Sequence, residues 1–123
     1  MIKNLLLVGF GGFVGSTLRY LTYLFIDKRH ALSFPMSTFT VNIIGSLVLG
    51  IIIGLSLKDS VNEHMRLFLA VGICGSYTTF STFALENISL MSQKDLLTSF
   101  IYITASIVLG LAAALAGQWV GKL

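Results

Sequence analysis

Four stretches of this chain, about 4–26, 36–57, 67–91 and 97–121, are nearly free of charge and apolar almost all the way round. A helix needs roughly 20 such residues to cross a bilayer core of ~30 Å. Helices of soluble proteins carry a polar face at helical spacing, and these stretches have none. Across its 123 residues the chain is 55% apolar and only 11% charged, with one proline. The expected fold is therefore an all-α integral membrane protein, with 1–123 forming a single four-span domain. Its net charge of +3 does not suggest nucleic acid, because the basic residues are scattered singly and build no stripe.

The apolar run that follows Met1-Ile2-Lys3 imitates a signal peptide but continues to Phe25-Ile26, too far for a cleaved h-region. Gly9, Gly11, Gly12 and Gly15 imitate a dinucleotide fingerprint, yet no βαβ unit surrounds them. Close helix contacts explain Gly11/Gly15 and Gly12/Ser16 better. The same holds for Ser46-Gly50-Gly54, Ser106-Gly110-Ala114 and Ala113-Gly117-Gly121. Cys74 is the single cysteine, and His30 and His64 lie at loops without partners at metal-ligand spacing. No nucleophile is paired with a base, so an enzyme is not expected.

The third span departs from the pattern of an anchor. It reads Gly72-Ile73-Cys74-Gly75-Ser76-Tyr77-Thr78-Thr79-Phe80-Ser81-Thr82-Phe83, with Glu86 one turn further on. Two glycines followed by a cluster of hydroxyls invite a break in the helix near Gly75–Thr78. In hydrocarbon an unpaired N–H or C=O costs several kcal/mol, so a break survives only inside protein, around an ion or beside water. Phe80 and Phe83 share a helical face. They either pack or present their positive ring edges to a path for a small anion. Glu86 is the acidic residue inside a span, which makes it a functional candidate unless it reaches interfacial water.

Further polar groups fall inside the other spans. Asn42 either bridges helices or offers two N–H donors to a dehydrated anion. Arg19 either snorkels to the headgroups or forms an electropositive funnel. Tyr102 and Ser106 share a face of the fourth span. The N-terminus, the 58–66 loop and the C-terminus lie on one side with Lys3, Lys58, Arg66 and Lys122. Lys28, Arg29 and Lys94 lie on the other. So balanced a distribution hardly fixes orientation. Two copies inserted oppositely can pair, and four helices alone can hardly enclose a polar path.

Gly11-Gly12-Phe13-Val14-Gly15 with Arg19-Tyr20, Thr38-Phe39-Thr40-Val41-Asn42-Ile43-Ile44-Gly45, and Gly72–Gly75 through Thr78–Phe83 form a specific combination. On these segments the chain resembles the small bacterial fluoride-channel family (Fluc, also called CrcB) over essentially its whole length. The resemblance implies an antiparallel, dual-topology homodimer in the cell inner membrane, with two fluoride pathways and a structural Na⁺ on the two-fold axis. It implies backbone carbonyls of Gly75 and Thr78 as Na⁺ ligands. It also implies Phe80, Phe83 and Asn42 as pore-lining residues, and Ser81, Thr82, Tyr102 and Ser106 on or near a polar track. Arg19 then sits on the vestibule side and Glu86 beside the pathway. Ser76 stands where many relatives carry a second glycine, and Gly110 where some have a serine or threonine. The expected activity is passive F⁻ export, with the Na⁺ as a fastener that is not itself transported. The alternative is a proton-coupled small multidrug exporter, which wants a carboxylate deep in the first span, where this chain has Arg19 and no acid. A structural subunit of a larger complex would explain the small-residue faces but not the Thr78–Phe83 string.

Overall fold

The computed structural model describes residues 1–29 and 33–123, so His30 lies outside the described residues. Among them every regular element is helical. The first crossing is α1 (Ile2–Asp27) and the second α2 (Met36–Ser56), which starts immediately after Pro35. The third is composite. It runs from α3 (Glu63–Arg66) through a π-helical stretch (Leu67–Cys74) into a single turn, α4 (Gly75–Tyr77). After two extended residues it resumes as α5 (Phe80–Ser92), and α6 (Leu96–Lys122) makes the fourth crossing. Taken as Glu63–Ser92, the third is long and apolar enough to span a membrane, as are the other three.

Local chemistry explains where these helices start. The loop expected at 58–66 ends early because Asn62 caps the next helix, its side chain accepting from Met65 N–H at 2.8 Å. Glu63 in that first turn suits the positive end of the helix dipole. His64 consequently lies in α3 rather than in a loop. At the other end of the third crossing Lys94 adopts a left-handed conformation, φ 58°. This lets Asp95 N–H reach Leu90 O at 2.9 Å. Asp95 then caps α6 by accepting from Thr98 N–H at 3.3 Å.

Two glycine seams hold the helices together. On α2 and α6, Gly50 faces the Ala114 carbonyl, Gly54 faces Gly121, and Gly117 faces the Leu47 carbonyl. A Cβ at any of these three positions would collide with backbone. On α1, Gly11 meets Gly72, and Gly15 meets Ile73 and Ser76. The α1 seam therefore grips the first half of the third crossing, while α5, past the break, packs on α6. Not every small residue takes part. Nothing lies within 4 Å of a Cβ built at Gly12, and at Gly110 only Ile43 comes as near as 4.0 Å.

Burial is inverted relative to a soluble protein. Tyr102, Thr38 and Ser99 are essentially inaccessible, whereas Phe13, Leu115 and Trp119 (66% exposed) point outward. Apolar side chains at the perimeter and polar ones inside are what a hydrocarbon solvent selects.

Candidate functional site at the broken third helix

The helix break falls later than the glycines suggest. Gly75–Tyr77 is still one helical turn, and the chain becomes extended at Thr78 (φ −83°, ψ 156°) and Thr79 (φ −148°, ψ 116°). Gly72 serves instead to admit α1, since a Cβ there would stand 2.8 Å from Gly11 Cα. Ser76 is accommodated in the same seam. Its hydroxyl donates back to Gly72 O at 2.6 Å and sits against Gly15.

Two side chains define the break, those of Asn42 and Thr79. Thr78 N–H closes the last turn on Cys74 O at 3.1 Å. The next N–H, of Thr79, leaves the helix and donates to Asn42 Oδ1 at 2.8 Å, while Asn42 Nδ2 donates to Thr79 O at 3.1 Å. Asn42 thus pairs with both polar groups of one residue, as a neighbouring strand would. Thr79 Oγ1 then caps α5 by accepting from Thr82 N–H at 3.2 Å. From outside, Thr22 Oγ1 and Tyr77 OH form a 3.1 Å hydrogen bond that ties the last turn before the break to α1.

These bonds divert two donors from their regular acceptors. In an unbroken helix Thr79 N–H would bond the Gly75 carbonyl and Thr82 N–H the Thr78 carbonyl. Here Asn42 takes the first and Thr79 Oγ1 takes the second. The Gly75 and Thr78 carbonyls released in this way are oxygen ligands of the kind a hard cation takes. Among the described residues no group of three or more His, Cys, Asp or Glu could hold a metal.

A groove of about 310 Å³ opens beside the break, lined by Asn42, Ser46, Thr79, Phe80, Phe83 and Ser106 among others. Among the described residues no charged side chain contributes to it. Ser106 Oγ is buried there and has no hydrogen-bond partner among the described residues. The Phe80 and Phe83 rings lie 5.8 Å apart at 42°, with Phe80 79% exposed on the single chain. Of Asn42's two N–H groups, one is committed to Thr79 O, which leaves one for a ligand.

Behind the groove, Tyr102 packs edge-on against Phe83 at 5.0 Å and 63°. Its hydroxyl donates to Glu86 Oε1 at 3.3 Å. Glu86 also lines a separate recess of about 330 Å³ with Tyr23, Asp27, Ser37 and Gln93. Arg19 lines a third, of about 220 Å³, with Ser16, Tyr20, Tyr23 and Thr82. The candidate residues are therefore distributed. Asn42, Phe80, Phe83 and Ser106 meet in one groove, Arg19 and Thr82 in another recess, and Glu86 connects to the first through Tyr102. Ser81 is exposed beside the cap, 3.4 Å from Thr79 Oγ1.

Two polar residues were not singled out from the sequence. Asn87 and Ser99 form a buried pair, with Ser99 Oγ donating to Asn87 Oδ1 at 2.9 Å and Asn87 Nδ2 donating to Phe83 O at 2.9 Å. An amide one turn after Phe83, inside an apolar span, is the signal that marks them. Thr79 is a capping residue at the start of an apolar run, and its hydroxyl merged with its neighbours' in the sequence.

The model described as "CrcB-like protein, Camphor Resistance (CrcB)" matches residues 6–118. The chain belongs to the CrcB family. It is 42% identical over 122 residues to the fluoride-specific ion channel FluC of Flavobacterium psychrophilum, covering 98% of each chain. It is 39% identical over 121 residues to that of Phocaeicola vulgatus (98% and 100% covered). With FluC 2 of Rhodococcus jostii it shares 44% over 118 residues (96% and 95% covered). With its four long apolar crossings, a CrcB protein of this kind is a multi-pass protein of the bacterial inner membrane and not an enzyme.

Proposed function

We propose that the chain is a passive fluoride channel working as an antiparallel homodimer, with a structural Na⁺ between protomers. The observation that carries the reading is the uncharged groove at the break. Fluoride is small and strongly hydrated, so a path must replace its water with several weak donors. The free Asn42 N–H, the partnerless Ser106 hydroxyl and the positive edges of Phe80 and Phe83 are such donors. A fixed cation in the groove would hold the ion too tightly to release it. Relatives named as fluoride-specific channels over nearly the whole length support the choice of ion.

The dimer is supported by what the single chain leaves uncovered. Gly75 is exposed, and the donor for its carbonyl is diverted, in a segment apolar enough to be surrounded by lipid. An unsatisfied carbonyl in hydrocarbon costs several kcal/mol, which a facing copy with a shared cation removes. The carbonyls of Gly75 and Thr78 would hold the Na⁺, which would supply fixed positive charge and a link between copies. The proton-coupled multidrug exporter has no comparable support, since Glu86 lies in the third crossing beside Tyr102 rather than in the first.

Anion efflux from proteoliposomes holding only this protein tests the proposal. F⁻ efflux well above Cl⁻ efflux is expected, and Phe83→Ile is expected to reduce F⁻ efflux at least about tenfold, ~1.4 kcal/mol on the barrier. Unchanged efflux in Phe80→Ile and Phe83→Ile would remove the ring edges from the mechanism.

A further inference from the structure

We infer that the side chains of Asn42 and Thr79 create the Na⁺ site by holding helical N–H donors away from the Gly75 and Thr78 carbonyls. The inference rests on the proposed Na⁺, and it assigns Asn42 a task separate from lining the groove. A carbonyl in a regular helix already accepts one N–H and is a poor cation ligand until that donor is drawn off. Asn42 Oδ1 holds Thr79 N–H at 2.8 Å, which removes the partner of Gly75 O. Thr79 Oγ1 holds Thr82 N–H at 3.2 Å, which removes the partner of Thr78 O. One side-chain oxygen therefore corresponds to each of the two carbonyls.

The Asn42 amide joins this site to the groove. Its oxygen accepts from Thr79 N–H, one N–H donates to Thr79 O, and the residue also lines the groove. The acceptor of the amide governs the metal, and the N–H not spent on Thr79 O is the one available to the anion. Leu in this place loses the acceptor. Thr79→Val removes the second acceptor while leaving the first untouched.

Na⁺ titrations of thermal unfolding and of dimer retention in detergent, in Na⁺ against N-methylglucamine, test this independently of flux. N42L and T79V are each expected to weaken apparent Na⁺ affinity about tenfold or more, the scale of one hydrogen bond regained by a carbonyl. T79S, which keeps the hydroxyl acceptor for Thr82 N–H, is expected to bind Na⁺ within about threefold of the wild type, less than ~0.7 kcal/mol. Wild-type Na⁺ affinity in N42L or in T79V overturns the inference, as does loss of Na⁺ binding in T79S equal to that in T79V. If N42L does not fold, T79V and T79S decide the matter alone. Unfolding of the wild type that is indifferent to Na⁺ overturns both the inference and the proposed fastener, while F⁻ conduction is judged separately by efflux.

Discussion

The α2–α6 pair and the third crossing solve the same problem in opposite ways. Along α2 and α6 the backbones touch through Gly50, Gly54, Gly117 and Gly121, and the helices run unbroken for 21 and 27 residues. In the third crossing the backbone leaves helical geometry at Thr78 and Thr79, and side chains from α2 and from the crossing itself take up the loose donors. The first region uses the absence of side chains to bring main chains together. The second uses polar side chains in place of main chain. Rigidity comes from the first, and chemistry becomes available in the second because its polar groups are no longer paired with each other.

Substitutions that attack each region should therefore fail differently. The largest effect is expected from Gly117→Leu. Its Cβ would strike the Leu47 carbonyl and stand 3.0 Å from Ile51 N, forcing α2 and α6 apart. Overpacking of this kind costs about 1–3 kcal/mol or more, so the variant should leave the monodisperse peak in size-exclusion chromatography. A folded, monodisperse Gly117→Leu would break the comparison. Next comes Asn87→Leu, which leaves the buried Ser99 hydroxyl without its acceptor and frees the Phe83 carbonyl from its extra donor. A loss of about 0.6–2 kcal/mol is expected from thermal unfolding in detergent, with the fold kept. Smallest is Gly110→Ser, where the neighbouring space is open to 4.0 Å. Its melting should match the parent within about 0.5 kcal/mol, and a larger change would show that the glycine seam extends to this position.

The four crossings were legible because length and the lack of charge admit no other reading. The broken third crossing was legible as well, from the hydroxyl cluster, and the break at Thr78 and Thr79 falls at the far end of the expected Gly75–Thr78. Gly72 carries two meanings in a sequence, a kink or a close contact, and only the position of Gly11 on α1 decides between them. Asn42 was ambiguous for the same reason. An amide in a span can bridge helices or face a ligand, and here it bridges to Thr79 while keeping one N–H free. Asn87 and Ser99 escaped notice because each alone is an ordinary polar residue, and their pairing depends on how α5 meets α6.

The π-helical stretch from Leu67 to Cys74 acts as a phase shifter for everything downstream. Its wider turns fix the azimuth at which Ser76 meets Gly15 and at which Thr79 arrives opposite Asn42. Removing one residue there would rotate the following segment by about 100° and aim a different peptide at the amide. Eight apolar residues with no ligand of their own thereby decide which oxygens the bilayer interior receives.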